Sequence, residues 1–234
     1  MEVRSLLEAA LRAAGSREDL ASLIDATLLS PSASVEEVRR LVEEAADEGY
    51  ACVVTTPLHL REVASEAGRL GVRLCSVIGF PLGSHPLDAK LAEAKEALES
   101  GAEELDVVPA LWKDADYVES EVARIVELAR SYGAKVKVIL EAPLQGDEKL
   151  RRLVEASRRA GAWMVKTSTG VYSKGGDPLT VSRLAALAKP AGLGVKASGG
   201  IRTALDALLA IGAGADRVGT SSARKVLDTL GGLA

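Results

Sequence analysis

Ala-Trp-Met-Val-Lys-Thr (162–167) and Gly-Val-Lys-Ala-Ser (194–198) are short apolar runs on either side of a helical pattern over 179–189. A β-like run, a helix and a second β-like run predict one parallel βαβ unit. The same alternation extends in both directions. Further strand candidates are Ser22–Leu28, Tyr50–Thr55, Arg73–Phe80, Glu104–Val108, Lys135–Glu141 and Asp216–Gly219, eight in all with the first two. Their centres are rich in Val, Ile and Leu, as expected of strands buried on both faces. Helical patterns lie between them, at 35–48, about 57–70, 86–100, 116–132, 147–160, 202–211 and 222–230. Ser34 with Glu37 three residues later has capping-box spacing, Val38, Leu41, Val42 and Ala45 share one face, and Gly49 closes that helix. Gly71, Gly101, Gly133, Gly161 and Gly212 recur near the other helix C-termini. Eight such units in 234 residues predict an α/β fold, a single (β/α)8 TIM barrel, with a doubly wound open sheet as the alternative. No linker or composition shift marks a second catalytic unit. Residues 1–20 read as a helical extension able to cover the barrel's bottom, and 21–234 as the barrel.

The totals narrow the function. The chain carries 29 basic and 33 acidic residues, net −4, mixed along its length, and only seven aromatic residues, which disfavours nucleic acid as a partner. No run of 18 apolar residues occurs, so a membrane partner is not expected. Met1–Gly15 has Glu2, Arg4, Glu8 and Arg12 among apolar residues, an amphipathic helix and not a signal peptide, and a cytoplasmic protein is expected. Cys52 and Cys75 sit in apolar runs without metal-like spacing and read as buried, reduced thiols. Asn is absent and Gln occurs once, at Gln145, a composition that suggests a heat-adapted source.

In such a barrel, chemistry belongs at the C-terminal ends of the strands. Asp25, Thr27, Asp106, Lys137, Glu141, Lys166–Thr169, Lys196, Ser198 and Thr220–Ser222 fall there. Lys166 ends an apolar run, where an ammonium is partly stripped of water. Lys196 holds the matching position on the next strand, and neighbouring strands lie about 4.8 Å apart. Each ammonium disfavours the other's charge, which lowers an amine's pKa and makes it a nucleophile for a carbonyl. An ion pair with a strand carboxylate is the structural alternative for Lys166, and phosphate binding is the alternative for Lys196. Asp106, in Glu-Leu-Asp-Val-Val, is a candidate for pairing with a lysine or for moving protons through water, against a purely structural ion pair. Gly199 and Gly200 after the seventh strand, and Gly219–Ser222 after the eighth, provide backbone N–H groups for a phosphate, with Gly170 as a further donor. His59 and His85 are isolated, so no metal site is expected from them. Ser168 and Ser198 lack the setting of a hydrolytic serine.

Six ordered motifs carry a resemblance. They are Ile-Asp-Ala-Thr-Leu-Leu (24–29), Val-Ile-Gly-Phe-Pro-Leu-Gly (77–83), Glu-Leu-Asp-Val-Val (104–108), Val-Lys-Thr-Ser-Thr-Gly (165–170), Gly-Val-Lys-Ala-Ser-Gly-Gly-Ile-Arg-Thr (194–203) and Gly-Thr-Ser-Ser (219–222). Together they resemble the deoxyribose-phosphate aldolases, which are class I aldolases. The resemblance implies a (β/α)8 barrel that reversibly cleaves 2-deoxy-D-ribose 5-phosphate to D-glyceraldehyde 3-phosphate and acetaldehyde. It implies Lys166 as the Schiff-base lysine, Lys196 as the lysine that tunes it and Asp106 as the proton relay. Gly170, Gly199, Gly200, Ser221 and Ser222 match phosphate-contacting positions, and Thr167 and Asp25 join them as expected substrate contacts. It implies no metal or organic cofactor, and a homodimer or homotetramer. Ala26 and Val54 depart from the family pattern, which often has His and Cys there, and Ala-Pro-Leu after Glu141 departs as well. Another Schiff-base aldolase, a phosphosugar isomerase or epimerase, and a non-catalytic phosphosugar-binding barrel remain as rivals.

Overall fold

Period-two strands alternate with period-3.6 helices around a closed cylinder. The computed structural model describes residues 3–233. The elements run α1 (Val3–Ala14), α2 (Arg17–Ala21), β1 (Ile24–Thr27), α3 (Val35–Glu48), β2 (Cys52–Thr55), α4 (Pro57–Leu70), β3 (Leu74–Ile78) and α5 (Leu87–Glu99). They continue as β4 (Glu104–Val107), α6 (Ala115–Ser131), β5 (Lys135–Ile139), a 3-10 turn (Ala142–Leu144), α7 (Asp147–Arg159), β6 (Met164–Lys166) and α8 (Pro178–Ala188). Then come β7 (Gly194–Ser198), α9 (Ala204–Gly212), β8 (Arg217–Thr220), α10 (Ala223–Asp228) and a 3-10 turn (Leu230–Leu233). Each strand pairs in parallel with its sequence neighbours, and β1 also pairs with β8. That last pairing closes the barrel and excludes the open sheet.

Local sequence fixes the helix starts. Ser34 and Glu37 form a reciprocal capping box, and Thr203 with Asp206 forms a second. Thr56, Asp114 and Asp177 each accept the N–H three residues on. α3 turns Val38, Val42 and Ala45 inward, and each valine so buried is worth about 1.5–3 kcal/mol. The main core lies between the strands and the helix ring, where Ile24, Leu60, Leu105, Ile125, Leu150 and Leu208 are fully buried. No helix among the described residues is long and apolar enough to cross a membrane.

The N-terminal segment differs from expectation. It is two helices, broken at Gly15–Ser16, where Ser16 caps α2. α1 packs along α9 and also meets α2. Gly212 is the reason α1 fits: a Cβ there would lie 2.2 Å from the Leu6 carbonyl oxygen. This glycine serves close helix packing, not the left-handed helix end that its position suggests.

The barrel interior divides into two halves. Cys52, Val54, Cys75 and Val77, from β2 and β3, pack together with Leu29 and Phe80. The remaining strands contribute Asp25, Glu104, Asp106, Lys137, Lys166, Lys196 and Arg217, all buried. Charge at this depth is costly unless paired, so these seven groups must be understood together.

Candidate active site

β4 and β5 bring Asp106 beside Lys137 in register, and β6 and β7 bring Lys166 beside Lys196. Asp106 joins the two pairs. Its Oδ1 accepts from Lys137 Nζ at 2.9 Å, and its Oδ2 accepts from Lys166 Nζ at 2.8 Å and Lys196 Nζ at 2.7 Å. Below this layer, Asp25 Oδ2 lies 2.6 Å from Lys196, and Asp25 Oδ1 accepts from Arg217 Nε at 2.7 Å and from Arg217 Nη2. Glu104 lies 2.5 Å from Lys137 and 3.4 Å from Arg217. An exposed arginine, Arg73, approaches Glu104 from outside at 3.9 Å, but it is offset by Glu103 at 3.8 Å.

Charge balance across this network distinguishes the lysines. Three buried carboxylates (Asp25, Glu104, Asp106) face four basic groups (Lys137, Lys166, Lys196, Arg217). The interior is neutral when one basic group is uncharged. Lys137 touches three carboxylates, and Lys196 and Arg217 touch two each. Lys166 touches only Asp106, through an oxygen that it shares with Lys196. Burial pushes the Lys166 ammonium down, Asp106 opposes that, Lys196 adds to it, and the net pKa falls below that of an ordinary lysine. For Lys196 burial also pulls downward, but Asp106 and Asp25 outweigh it and hold the group charged. Lys137 is held above an ordinary lysine in the same way, chiefly by Asp106. Burial drives both Asp25 and Asp106 upward, yet the lysines around them, with Arg217 for Asp25, keep them below the usual carboxylate range. The lowered pKa that two neighbouring lysines predict from sequence is therefore the net result for Lys166 only.

Lys166 is also the lysine that faces space. It lines a cavity of about 360 Å³ together with Thr27, Phe80, Thr169, Gly170, Val171, Ser198, Gly199, Gly200, Arg202 and Ser221. Lys196 is fully buried behind it. Gly199 and Gly200 have φ of 94° and 88°, and a Cβ on Gly199 would lie 2.6 Å from Ser168 Oγ. Only glycine permits the chain to pass so close to the β6 loop. Arg202 is the cation at this end of the cavity.

Several expected contacts stand elsewhere. Asp25 does not reach the cavity: strand alternation turns it into the charged interior beneath Lys196, where it serves Lys196 and Arg217. Thr167 is buried as well, its Oγ1 donating to the Ser198 carbonyl at 3.2 Å and accepting from the Ser198 N–H at 2.9 Å, so it ties β6 to β7. Gly170 lines the cavity, but its N–H already donates to Ser168 Oγ at 3.2 Å. The Ser222 N–H donates to Thr220 Oγ1 at 3.0 Å, and Ser222 borders a neighbouring surface depression instead.

Lys137, Glu104 and Arg217 complete the network; sequence reasoning placed Lys137 at a strand end without giving it a role and left out Glu104 and Arg217. The signal was present: Glu104 is two residues from Asp106, so both face the same side of β4. The two cysteines are free and buried, and burial pushes the Cys52 thiol well up, which leaves it neutral. Cys75 Sγ lies 3.4 Å from both Asp106 Oδ1 and Lys137 Nζ.

The sequence profile described as DeoC/LacD family aldolase matches residues 19–229. A deoxyribose-phosphate aldolase of Aeropyrum pernix is 62% identical over 226 residues, covering 97% of this chain and 96% of that one. One from Thermococcus kodakarensis is 41% identical, covering 91% and 97%. A solved tetrameric structure of deoxyribose phosphate aldolase from Aeropyrum pernix superposes with TM-score 0.98 at 61% identity over 100% of both chains.

Proposed function

Because the chain belongs to the DeoC/LacD family of aldolases, we propose that it reversibly cleaves 2-deoxy-D-ribose 5-phosphate to D-glyceraldehyde 3-phosphate and acetaldehyde through a Schiff base on Lys166. In this reading 21–234 is the catalytic barrel and 1–20 a helical extension, of which residues 1, 2 and 234 lie outside the described residues. The observation that carries it is the geometry of the network: four basic groups face three carboxylates, and the amine with the fewest carboxylate partners is the one at the cavity.

Neutral Lys166 adds to the C1 aldehyde of the open-chain sugar phosphate. Loss of water, with one proton taken up, gives a protonated imine that withdraws electrons from C2. The C3 hydroxyl loses its proton, the C2–C3 bond breaks, and its electron pair passes to the imine as an enamine. Asp106, working through water, carries that proton. Held by the Lys137 and Lys196 ammonium groups it is a weak base at neutral pH, so it relays the proton and does not retain it. Reprotonation of the enamine carbon and hydrolysis release acetaldehyde and restore Lys166. Lys196 stays charged throughout and keeps Lys166 from holding a proton. The phosphate sits at Gly199, Gly200 and Ser221 beside Arg202, and its binding orients the reacting carbons. Assembly into homo-oligomers accords with the tetrameric relative.

The test is incubation with 2-deoxy-D-ribose 5-phosphate and detection of both aldehyde products, next to a panel of other donor aldehydes run in the condensation direction. Preference for another donor would keep the Schiff base and replace the substrate. Product formation that leaves no borohydride-reducible imine would overturn the mechanism.

A further inference from the structure

Glu141 is the only non-glycine residue with positive φ among the described residues, at 47°. Its neighbours explain how it is held there. The Leu140 N–H donates to the Lys166 carbonyl at 3.0 Å, and the Ala142 N–H to the Thr167 carbonyl at 2.7 Å. Two residues of one chain thus advance against one residue of the next, which is a β-bulge, and bulges re-aim side chains at barrel rims. The bulge swings Glu141 toward the loop that follows β6. There the residue is 5% exposed, and its carboxylate makes no ion pair among the described residues. Its Oε2 accepts from the Thr169 N–H at 3.0 Å, and its Oε1 accepts from the Ser173 hydroxyl.

That loop, 167–176, contains no helix or strand, yet Thr169, Gly170 and Val171 form the cavity wall beside Lys166. It is fastened on its far side by Ser168 Oγ to the Ser198 carbonyl at 2.8 Å and by the Gly176 N–H to the Gly199 carbonyl at 2.9 Å. Glu141 is the fastening on the near side. Glycine would adopt φ of 47° without strain, but it would lack the two acceptors.

We propose that Glu141 is a positioning residue, whose carboxylate holds the Thr169–Val171 wall in place against the phosphosugar. It touches no reacting atom. Lys166 itself is secured by the β5 and β7 ladders, so Glu141 governs how the long substrate is seated and not whether the amine reacts. The proposal rests on the functional reading above.

The test compares E141A, E141G and E141Q with the wild type, measuring kcat and KM for 2-deoxy-D-ribose 5-phosphate, borohydride trapping of acetaldehyde on Lys166, and Tm. Acetaldehyde is too short to need the wall. E141A and E141G are expected to raise KM about tenfold while trapping stays within about twofold. In E141Q the amide oxygen accepts from Thr169 and the amide NH2 donates to Ser173 Oγ, so KM is expected to return to within about threefold of the wild type. A lower Tm in E141A with unchanged KM would reduce Glu141 to a structural residue and overturn the proposal. Normal KM in E141G alone would do so too, since backbone strain would then be what matters. Failure of the functional reading is seen separately, as absence of cleavage by the wild type.

Discussion

Replacing Lys196 with methionine removes one charge from the interior and leaves the chain's volume there nearly intact. Lys166 and Lys196 bond to the same Asp106 oxygen at 2.8 and 2.7 Å, so their nitrogens are at most about 5.5 Å apart. At that distance two unit charges repel by about 3 kcal/mol at an effective dielectric of about 20. Loss of that repulsion corresponds to about two pH units on Lys166. The charge balance gives the same sign: with Lys196 gone, three carboxylates face three basic groups, and a protonated Lys166 makes the interior neutral. Below the wild-type pKa of Lys166, the Lys196→Met variant should hold about 100-fold less free amine than the wild type at the same pH. The assay is the initial rate of imine trapping with acetaldehyde and borohydride as a function of pH. The profile should move upward by about two units, with wild-type-like rates recovered at high pH. An unmoved profile would show that Lys196 does not set the charge of Lys166. Failure to recover at high pH would assign Lys196 a direct part in bond making.

Asp106→Asn removes an anion that favours protonation of Lys166, so the amine stays free; trapping of acetaldehyde should survive better than carbon–carbon cleavage, and equal loss of both in parallel assays would remove the relay role. Asp25→Asn deprives Lys196 and Arg217 of a shared buried carboxylate and should cost about 3–5 kcal/mol in urea unfolding at pH 7. Asp25's folded pKa is depressed, so its stabilisation is fully present above the unfolded aspartate value of about 3.9 and is lost as pH falls through the lower folded value. The difference between wild type and Asp25→Asn should therefore shrink in strong acid; a gap that stays constant down to pH 2 would contradict the ion pairing.

Architecture was legible in the chain because period-two and period-3.6 patterns and helix caps are local. Ser34–Glu37 and Pro57–Leu70 can be read directly, and the strand centres likewise. Strand edges were less legible: Arg73–Phe80 shortens to Leu74–Ile78, since apolar character persists beyond the ladder. Lys166, Lys196 and Asp106 were visible as charges inside apolar runs. Asp25 was visible for the same reason, but its depth was not, because depth depends on barrel stagger and on the partner waiting at that level. Arg217 and Lys137 become meaningful only once closure sets β8 against β1 and β5 against β4. The bulge at Glu141 is a one-residue slip in hydrogen bonding between β5 and the end of β6, and no composition or spacing announces it.

The assignment of Lys166 as the uncharged, reactive amine is tested most directly by peptide mass mapping after acetaldehyde and borohydride treatment at neutral pH. A single ethyl group on Lys166, absent from Lys166→Leu, is the expected result. Ethylation of Lys196 or Lys137 in its place, or trapping that persists in Lys166→Leu, would contradict it.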